Sequence, residues 1–280
     1  MEETGPIGTL LAIFIFLSSY KGFRDREFTE EYIFDIDRIL IDKEYRRLLS
    51  SGFLHGGWFH LIFNLIALLS FSKEIELLFG AVNYLLLYFG SLIGGNLLSL
   101  YIHRNHGDYR ALGASGAISG VVFSSVVLMP QSTISFVLIP IEIPSWLFGL
   151  AFVLISILGI KKQRDNIGHD AHLGGAIIGI LATIVLYPSI LSNNLWIVAL
   201  LLIPSILFII LLIRNPNILL IDHYWGEGFA RFKENLASRQ EEPSMDPEEE
   251  LNLLLDKIGK KGIESLSKKE RKRLDQLSGK

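Results

Sequence analysis

Seven apolar segments dominate the sequence and limit the folds that are open to it. They cover approximately residues 6–20, 57–72, 82–102, 112–129, 145–160, 170–187 and 195–213. A membrane-spanning helix needs about 20 apolar residues, and backbone polar groups in lipid must be satisfied within the protein. The pattern therefore predicts an all-α, polytopic membrane helical bundle. Because several segments are shorter than a full span, we expect irregular backbone to enter the membrane where it lines a water-filled cavity.

Charged residues are unevenly distributed along the chain. Lys and Arg together number 13 in residues 1–213 and 13 in the much shorter remainder, 214–280. We therefore expect a membrane domain at 1–213, a partly interfacial linker at 214–245 and a small soluble helical hairpin at 246–280. The net charge of −3 argues against a nucleic-acid partner, and a chain without cysteine has no disulfide or thiolate chemistry.

The fourth apolar segment begins with the turn Gly113-Ala114-Ser115-Gly116. Ser115 is thereby placed at or near the first turn of a membrane helix, where unpaired N–H groups and a partial positive charge favour an oxyanion. A serine in a flexible turn with donors beside it meets the needs of a nucleophile. The alternative is that these small residues serve only to pack one helix closely against another.

The second apolar segment contains His60 and Asn64, which lie one turn apart on one helical face. Polar groups inside a membrane helix are costly and usually face the bundle interior. Because both side chains have N–H donors, the pair suits an oxyanion hole. The alternative is a pair of interhelical hydrogen bonds that only stabilises the bundle. Near the end of this segment, Glu76 precedes Gly80, and we expect its carboxylate to bond loop backbone in a structural role.

Two glycine pairs are spaced alike on different segments. Gly116 and Gly120 lie four residues apart in the fourth segment, and Gly175 and Gly179 lie four apart in the sixth. Small residues at this spacing let two membrane helices approach closely. We therefore expect the helices of the fourth and sixth segments to touch.

The sixth segment begins with two histidines. His172 is predicted to come within hydrogen-bond reach of Ser115 and to act as its base, and His169, one turn earlier, is the second candidate. Together with Asp170, the two histidines are also conceivable metal ligands. This is a weak metal pattern, because i,i+3 spacing without a third strong ligand does not define a site. We therefore predict no metal.

Two connections have their own expected structures. Residues 21–56 contain apolar side chains at near-helical spacing, which predicts one or two amphipathic helices in the membrane interface. In the loop 103–110, both His103 and His106 are expected to be exposed and without a role.

Taken in order, the motifs resemble those of the rhomboid intramembrane serine proteases over about residues 44–185. The matching elements are Phe53-Leu54-His55, His60 with Asn64, Glu76 with Gly80, Gly113-x-Ser115-Gly116, and Ala171-His172-Leu173-Gly174-Gly175. The resemblance implies a six-helix core followed by one additional C-terminal transmembrane helix. It also implies a multi-pass protein of bacterial type in the cell (inner) membrane.

The same resemblance implies roles for individual residues. Ser115 would be the nucleophile and His172 the general base of a dyad without an acid. The oxyanion would be held by His60, by Asn64 and by backbone N–H near Ser115. The residues implied to support the site structurally are His55, Gly113, Gly116, Gly175 and Glu76. No cofactor or metal is implied, and the expected partners are single-span transmembrane substrates and the lipid bilayer.

The sequence departs from the family pattern at two places. Many members have Tyr or Phe four residues after the nucleophile, where the ring stacks on the histidine, but this chain has Ser119. The family often has Trp-Arg in the first loop, where this chain has Arg46-Arg47. The alternative to an active protease is a catalytically silent rhomboid-like protein that binds transmembrane clients. The tail is a candidate docking module for an unidentified protein.

Overall fold

The computed structural model describes residues 5–136, 139–162, 167–215 and 247–277. The chain divides into two compact units, one ending at Gly228 and the other beginning at Phe229. The first unit confirms the predicted all-α membrane bundle. Its longer helices are α1 (Pro6–Arg24), α5 (Trp58–His103), α6 (Ser115–Leu128), α7 (Ser145–Lys162), α8 (His169–Leu186) and α10 (Leu195–Arg214). Its shorter helices are α2 (Arg26–Tyr32), α3 (Ile36–Leu40), α4 (Arg47–Ser50) and α9 (Ile190–Asn193), with a 3-10 turn at Ser51–Phe53.

Helix α5 comprises the second and third apolar segments and is interrupted at Gly80. This glycine has φ 76° and ψ 163°, a conformation that an L side chain rarely adopts. Of the described residues, α1, α5, α8 and α10 are long and apolar enough to cross a membrane, and α6 and α7 are shorter apolar helices. Because α5 is divided in two by the break, these helices account for the seven predicted segments.

Glu76 joins the break in α5 to the start of α1. Its carboxylate accepts hydrogen bonds from the backbone N–H groups of Ile7, at 3.0 and 3.1 Å, and of Gly8, at 3.1 Å. These are first-turn donors that have no partner within their own helix. Glu76 is therefore an N-terminal cap for α1, and the carboxylate also matches the partial positive charge of that helix end.

Helix α6 is the centre of the bundle. It has 14 residues, and all of those from Gly116 to Val127 are buried. Helices α5 and α8 pack around it. At its far end, the Asn194 side chain donates to the carbonyl oxygens of Val127 and Leu128 at 3.0 and 3.1 Å. The start of the additional C-terminal helix thereby satisfies the last carbonyls of α6.

The first connection folds against the protein. Phe34, Ile36 and Ile39 are buried to within 1% exposure and pack on side chains of α4 and α5 and of the loop that precedes α6. Ile36 and Ile39, two of the apolar residues behind the predicted interfacial helices, therefore face the protein, and an interfacial position of the other apolar residues of 21–56 stays a prediction. Arg47 is fully buried and donates to the backbone oxygens of Glu30 and Ile33 at 3.0 and 2.7 Å, which ties α4 to the earlier part of the same connection.

Two small antiparallel strand pairs were not predicted from the sequence. β1 (Phe34–Asp35) pairs with β2 (Arg110–Ala111), which joins the first connection to the loop before α6. β3 (Thr133–Phe136) pairs with β4 (Ile139–Pro144) between α6 and α7.

The second unit contains α11 (Pro247–Lys261), a 3-10 turn at Ile263–Ser265 and α12 (Lys268–Leu277). Ser267 and Glu270 form a capping box, with Ser267 N–H donating to the carboxylate at 2.7 Å and Glu270 N–H donating to the serine hydroxyl at 3.3 Å. Lys257 of α11 pairs with Glu270 at 2.6 Å, which ties the two helices together. The predicted linker at 214–245 lies outside the described residues, apart from its first two.

Candidate active site

Ser115 begins α6 directly after a turn that only glycine fits. Gly113 has φ +137°, which L side chains rarely adopt. A Cβ placed on Gly113 would lie 2.9 Å from both Cε1 and Nε2 of His60, which is too close for a real contact. The same point is 3.8 Å from the hydroxyl oxygen of Ser115. The imidazole of His60 and the hydroxyl of Ser115 therefore border one small space over Gly113.

His55 supports this turn from outside. Its Nδ1 is 2.9 Å from the hydroxyl of Ser19, which donates to the carbonyl of Phe53 at 3.0 Å. Its Nε2 accepts a long hydrogen bond of 3.5 Å from the N–H of Ala114. This network assigns the tautomer that has its proton on Nδ1. Burial, with a smaller contribution from His60, lowers the pKa of His55 to about 3, so the ring is neutral at physiological pH.

Asn64 lies one turn after His60 and is 7% exposed. Its amide nitrogen donates to the backbone oxygen of His60 at 2.8 Å. Because an amide nitrogen has two hydrogens, one donor remains for another acceptor. The structure therefore holds the Asn64 amide against the backbone of His60, one helical turn earlier. That His60 and Asn64 hold an oxyanion stays a prediction.

Helices α6 and α8 meet backbone to backbone through their glycines. A Cβ on Gly175 would overlap the carbonyl oxygen of Gly116, and a Cβ on Gly179 would overlap that of Gly120. The contact has the form expected for two small-xxx-small faces. Deeper in the bundle, Ser124 donates to Gly179 O at 3.2 Å, which fixes the axial register of the two helices.

The glycine contact brings the N-terminal ends of these helices together. Gly116 lies against Ala171, with the Ala171 carbonyl oxygen 3.3 Å from the position that a Gly116 Cβ would occupy. Ser115 and His172 are the immediate neighbours of these two residues along the chain. Both side chains are half-buried. The predicted nucleophile and base thus begin adjacent helices at a point where the backbones touch.

The two histidines of α8 have different surroundings. The ring of His172 lies 5.7 Å from the ring of Phe152, on α7, at an interplanar angle of 37°. The ring of His169 lies against Gly159, also on α7, and is 6.1 Å from the His172 ring. Ser119 is buried one turn after Ser115 and provides no ring. Phe152 was missed in the sequence, because no local pattern indicates which face of α7 meets α8.

A cavity of about 200 Å³ lies beside the candidate site, between the ends of α5, α7 and α8. His103, His169 and Asp170 contribute to its lining. The Nε2 of His103 is 3.0 Å from the Asp170 carboxylate, and its ring stacks on Tyr109 with centroids 3.6 Å apart. His103 is only 6% exposed and His106 is half-buried, so the expectation that both are exposed is wrong. Because the paired groups belong to distant parts of the chain, sequence spacing did not reveal this contact.

The residues considered above as metal ligands, His169, Asp170 and His172, lie in or next to this cavity. Within the described part of the chain, no group of three or more His, Asp or Glu side chains is arranged to hold a metal ion. His169, Asp170 and His172, although close in sequence, point to different neighbours.

Comparison with known proteins matches the two compact units separately. A model of the Rhomboid domain matches residues 42–189, which is more than half of the chain. A family of unknown function, DUF6576, matches residues 231–280.

Relatives come from mitochondria and bacteria. Rhomboid protein 1, mitochondrial, of Saccharomyces cerevisiae is 33% identical over 150 residues, covering 51% of this chain and 43% of the relative. Rhomboid protease GluP of Bacillus subtilis is 30% identical over 148 residues, which cover 53% of this chain and 27% of the relative. Presenilin-associated rhomboid-like protein, mitochondrial, of Mus musculus is 30% identical over 139 residues, which cover 48% of this chain and 36% of the relative. The chain spans less than half the length of each of these three relatives.

Several apolar helices and the domain match make this an integral membrane protein. The mitochondrial relatives do not support the expected placement in a bacterial inner membrane. The order of the motifs, the bundle around α6 and the match over residues 42–189 agree, and the chain belongs to the rhomboid family.

Proposed function

We propose that the chain is an intramembrane serine endopeptidase that cleaves single-span transmembrane proteins within the lipid bilayer. Ser115 acts as the nucleophile and His172 as the general base. The observation on which the proposal rests is the glycine contact between α6 and α8, which joins the residues next to Ser115 and His172. Family membership supports the reaction type, and one relative is named a rhomboid protease.

The proposed reaction uses the dyad twice. His172 takes the proton from the Ser115 hydroxyl as its oxygen attacks the scissile carbonyl carbon, and then gives that proton to the leaving amine as the C–N bond breaks. In the second half, His172 takes a proton from water, which attacks the acyl-enzyme carbonyl. The proton then returns to Ser115 as the acid product leaves.

The negative charge that develops on the carbonyl oxygen needs donors in place before it forms. His60 borders the space beside the Ser115 hydroxyl, and the first-turn N–H groups of α6 have no partners within their helix. We assign His60, Asn64 and the N–H of Ser115 to this role. The support comes from the Gly113 turn, because its missing side chain leaves the space that a substrate carbonyl would need.

One observation fits the catalytically silent, client-binding alternative as well as it fits the protease. The Asn64 amide already donates to the His60 carbonyl, a bond that a purely structural residue would also make. The two functions predict different results in a cleavage assay, because a silent protein binds a transmembrane segment without shortening it.

The test is cleavage of a model single-span substrate in detergent by the full chain. Ser115→Ala and His172→Ala should each abolish cleavage, and the double variant should be no worse than either, because residues that act as a unit are not additive. His169→Ala should retain activity. If His169→Ala abolishes cleavage and His172→Ala does not, the base is His169. A folded wild type that binds the substrate without cleaving it supports the silent alternative.

A further inference from the structure

The base of a dyad needs an oriented ring as well as a nearby nucleophile. The first turn of α8 fixes the backbone of His172, whose N–H donates to Gly168 O at 3.0 Å. The α6 residues that meet α8 nearest this turn are glycines, which offer no side chain to hold a ring. Ser119, one turn after Ser115, is buried and small. Besides the Ser115 hydroxyl, these residues of α6 present no ring to the imidazole, so an aromatic contact with it has to come from another element.

Helix α7 provides an aromatic contact at this position. The Phe152 and His172 ring centroids are 5.7 Å apart at 37°, within the range at which aromatic pairs attract each other. His169 also lies near His172, but at 6.1 Å and nearly perpendicular. Of these two rings, Phe152 presents the larger apolar surface to the imidazole.

The Phe152 ring is itself held in place. Its centroid lies 5.3 Å from that of Phe123 at 64°, and 6.0 Å from that of Phe148 at 43°. Phe123 belongs to α6 and is fully buried. One turn before Phe152, Gly149 packs α7 against Val126 of α6 and Leu201 of α10. A continuous series of rings therefore connects the centre of α6 to His172 by way of α7.

We infer that Phe152 is the residue that positions the His172 ring for proton transfer, as a contribution from α7 where α6 has Ser119. The inference rests on the proposed function, since a base is positioned only if there is a reaction. Phe152 acts through His172 and does not touch the reacting atoms. Its removal should disturb the geometry of proton transfer and leave substrate binding intact.

The first test is kinetic and uses the full chain with a model single-span substrate. Phe152→Leu should lower kcat by about 10- to 100-fold, because a small misplacement of a catalytic group has an effect of this size. KM should change by less than about twofold, because the substitution removes no contact that binds the substrate. Phe152→Tyr keeps the ring and should restore most of kcat.

Two matched variants separate positioning from general packing. Leu154→Ala removes a side chain of α7 that is 47% exposed and should leave kcat unchanged. Phe123→Leu breaks the next ring contact and removes a fully buried ring, so it should lower the melting temperature at least as much as Phe152→Leu. Its kcat should fall less than that of Phe152→Leu. An equal or larger fall in kcat with Phe123→Leu would show a packing role only, and would overturn the inference.

The second test does not depend on activity. In a crystal structure of Phe152→Leu, the His172 ring should occupy a different rotamer or more than one rotamer, whereas in Leu154→Ala it should lie as in the wild type. If the wild type fails to cleave, the proposed function fails, but the position of this ring still decides whether Phe152 orients it. An unmoved His172 ring in Phe152→Leu, or a wild-type kcat, overturns the inference.

Discussion

Helix α8 meets its two neighbours at the candidate site in different ways. Against α6 the contact is backbone to backbone, with glycines at 175 and 179 facing glycines at 116 and 120. Against α7 the contact is through side chains, with the rings of His169 and His172 packed on Gly159 and Phe152. The first contact sets where the two helices lie, and the second sets how a ring is turned. Glycine contacts tolerate almost no change, whereas a ring can be contributed by a different helix.

The largest expected effect comes from adding one methyl group to the backbone contact. In Gly175→Ala the new Cβ would overlap the Gly116 carbonyl, and only movement of a whole helix would relieve the overlap. We expect a loss of about 3 kcal/mol or more in the free energy of unfolding, at the upper end for overpacked sites. Cleavage should be lost with it. Thermal melting in detergent and the cleavage assay measure the two effects.

Gly90→Ala is the matched control for this variant. Gly90 lies on α5 and also faces α8, but the nearest atom to its Cβ position, on Ile178, is 3.9 Å away. Replacing a mid-helix glycine by alanine usually stabilises by about 0.5–1 kcal/mol. Equal losses of unfolding free energy in Gly175→Ala and Gly90→Ala would show that the α6–α8 contact is no less tolerant of a methyl group than other helix contacts.

The next effect should appear in turnover, with little change in stability. Asn64→Ala should lower kcat by about 10- to 1,000-fold, as loss of one oxyanion donor does in other enzymes. Asn83→Ala is a matched control, because its amide makes the same type of bond to the carbonyl four residues earlier, at 2.9 Å, on the same helix. The two variants should have similar melting temperatures and very different turnover. Equal turnover would leave Asn64 with a structural role alone.

The backbone contact could be predicted from the sequence, because glycines four residues apart in an apolar segment are typical of a close helix–helix contact. Gly116 with Gly120, and Gly175 with Gly179, mark faces that another helix can cover at short range. The order of the motifs around Ser115 and His172 likewise located the candidate site. Each of these motifs could be assigned to a helix from its local pattern alone.

The side-chain contacts could not be predicted, because they depend on how distant elements are rotated toward one another. Phe152 is one of several aromatic residues on α7, and its partner His172 belongs to the next helix. The His103–Asp170 pair joins two helices whose ends meet only after folding. The β3–β4 pair was missed in the sequence, although Thr133–Phe136 alternates polar and apolar residues as a strand does.

The predicted effect that is smallest at neutral pH concerns the titration of His55, and it tests the side-chain contacts at the Gly113 turn. Because burial lowers the pKa of His55 from 6.5 to about 3, the folded state keeps the ring neutral while the unfolded chain takes up a proton below pH 6.5. The unfolded state then binds more protons, so stability is full above pH 6.5 and falls as the pH drops toward 3. The slope is at most about 1.4 kcal/mol per pH unit.

His55→Gln removes this titration. Its melting temperature should therefore fall less steeply than that of the wild type between pH 6.5 and 4. Above pH 7 the difference between the two proteins should not depend on pH. Parallel curves over the whole range would mean that His55 is not held neutral by burial.

The most direct test of the central claim is labelling of the 280-residue chain in detergent by a fluorophosphonate probe, with the modified residue located by mass spectrometry. The probe forms a stable adduct only with an activated serine. We predict one adduct, on Ser115, that is lost in Ser115→Ala, strongly reduced in His172→Ala and retained in Ser119→Ala. A folded wild type without an adduct on Ser115, or labelling that persists in Ser115→Ala, would contradict the assignment of Ser115 and His172 as a catalytic pair.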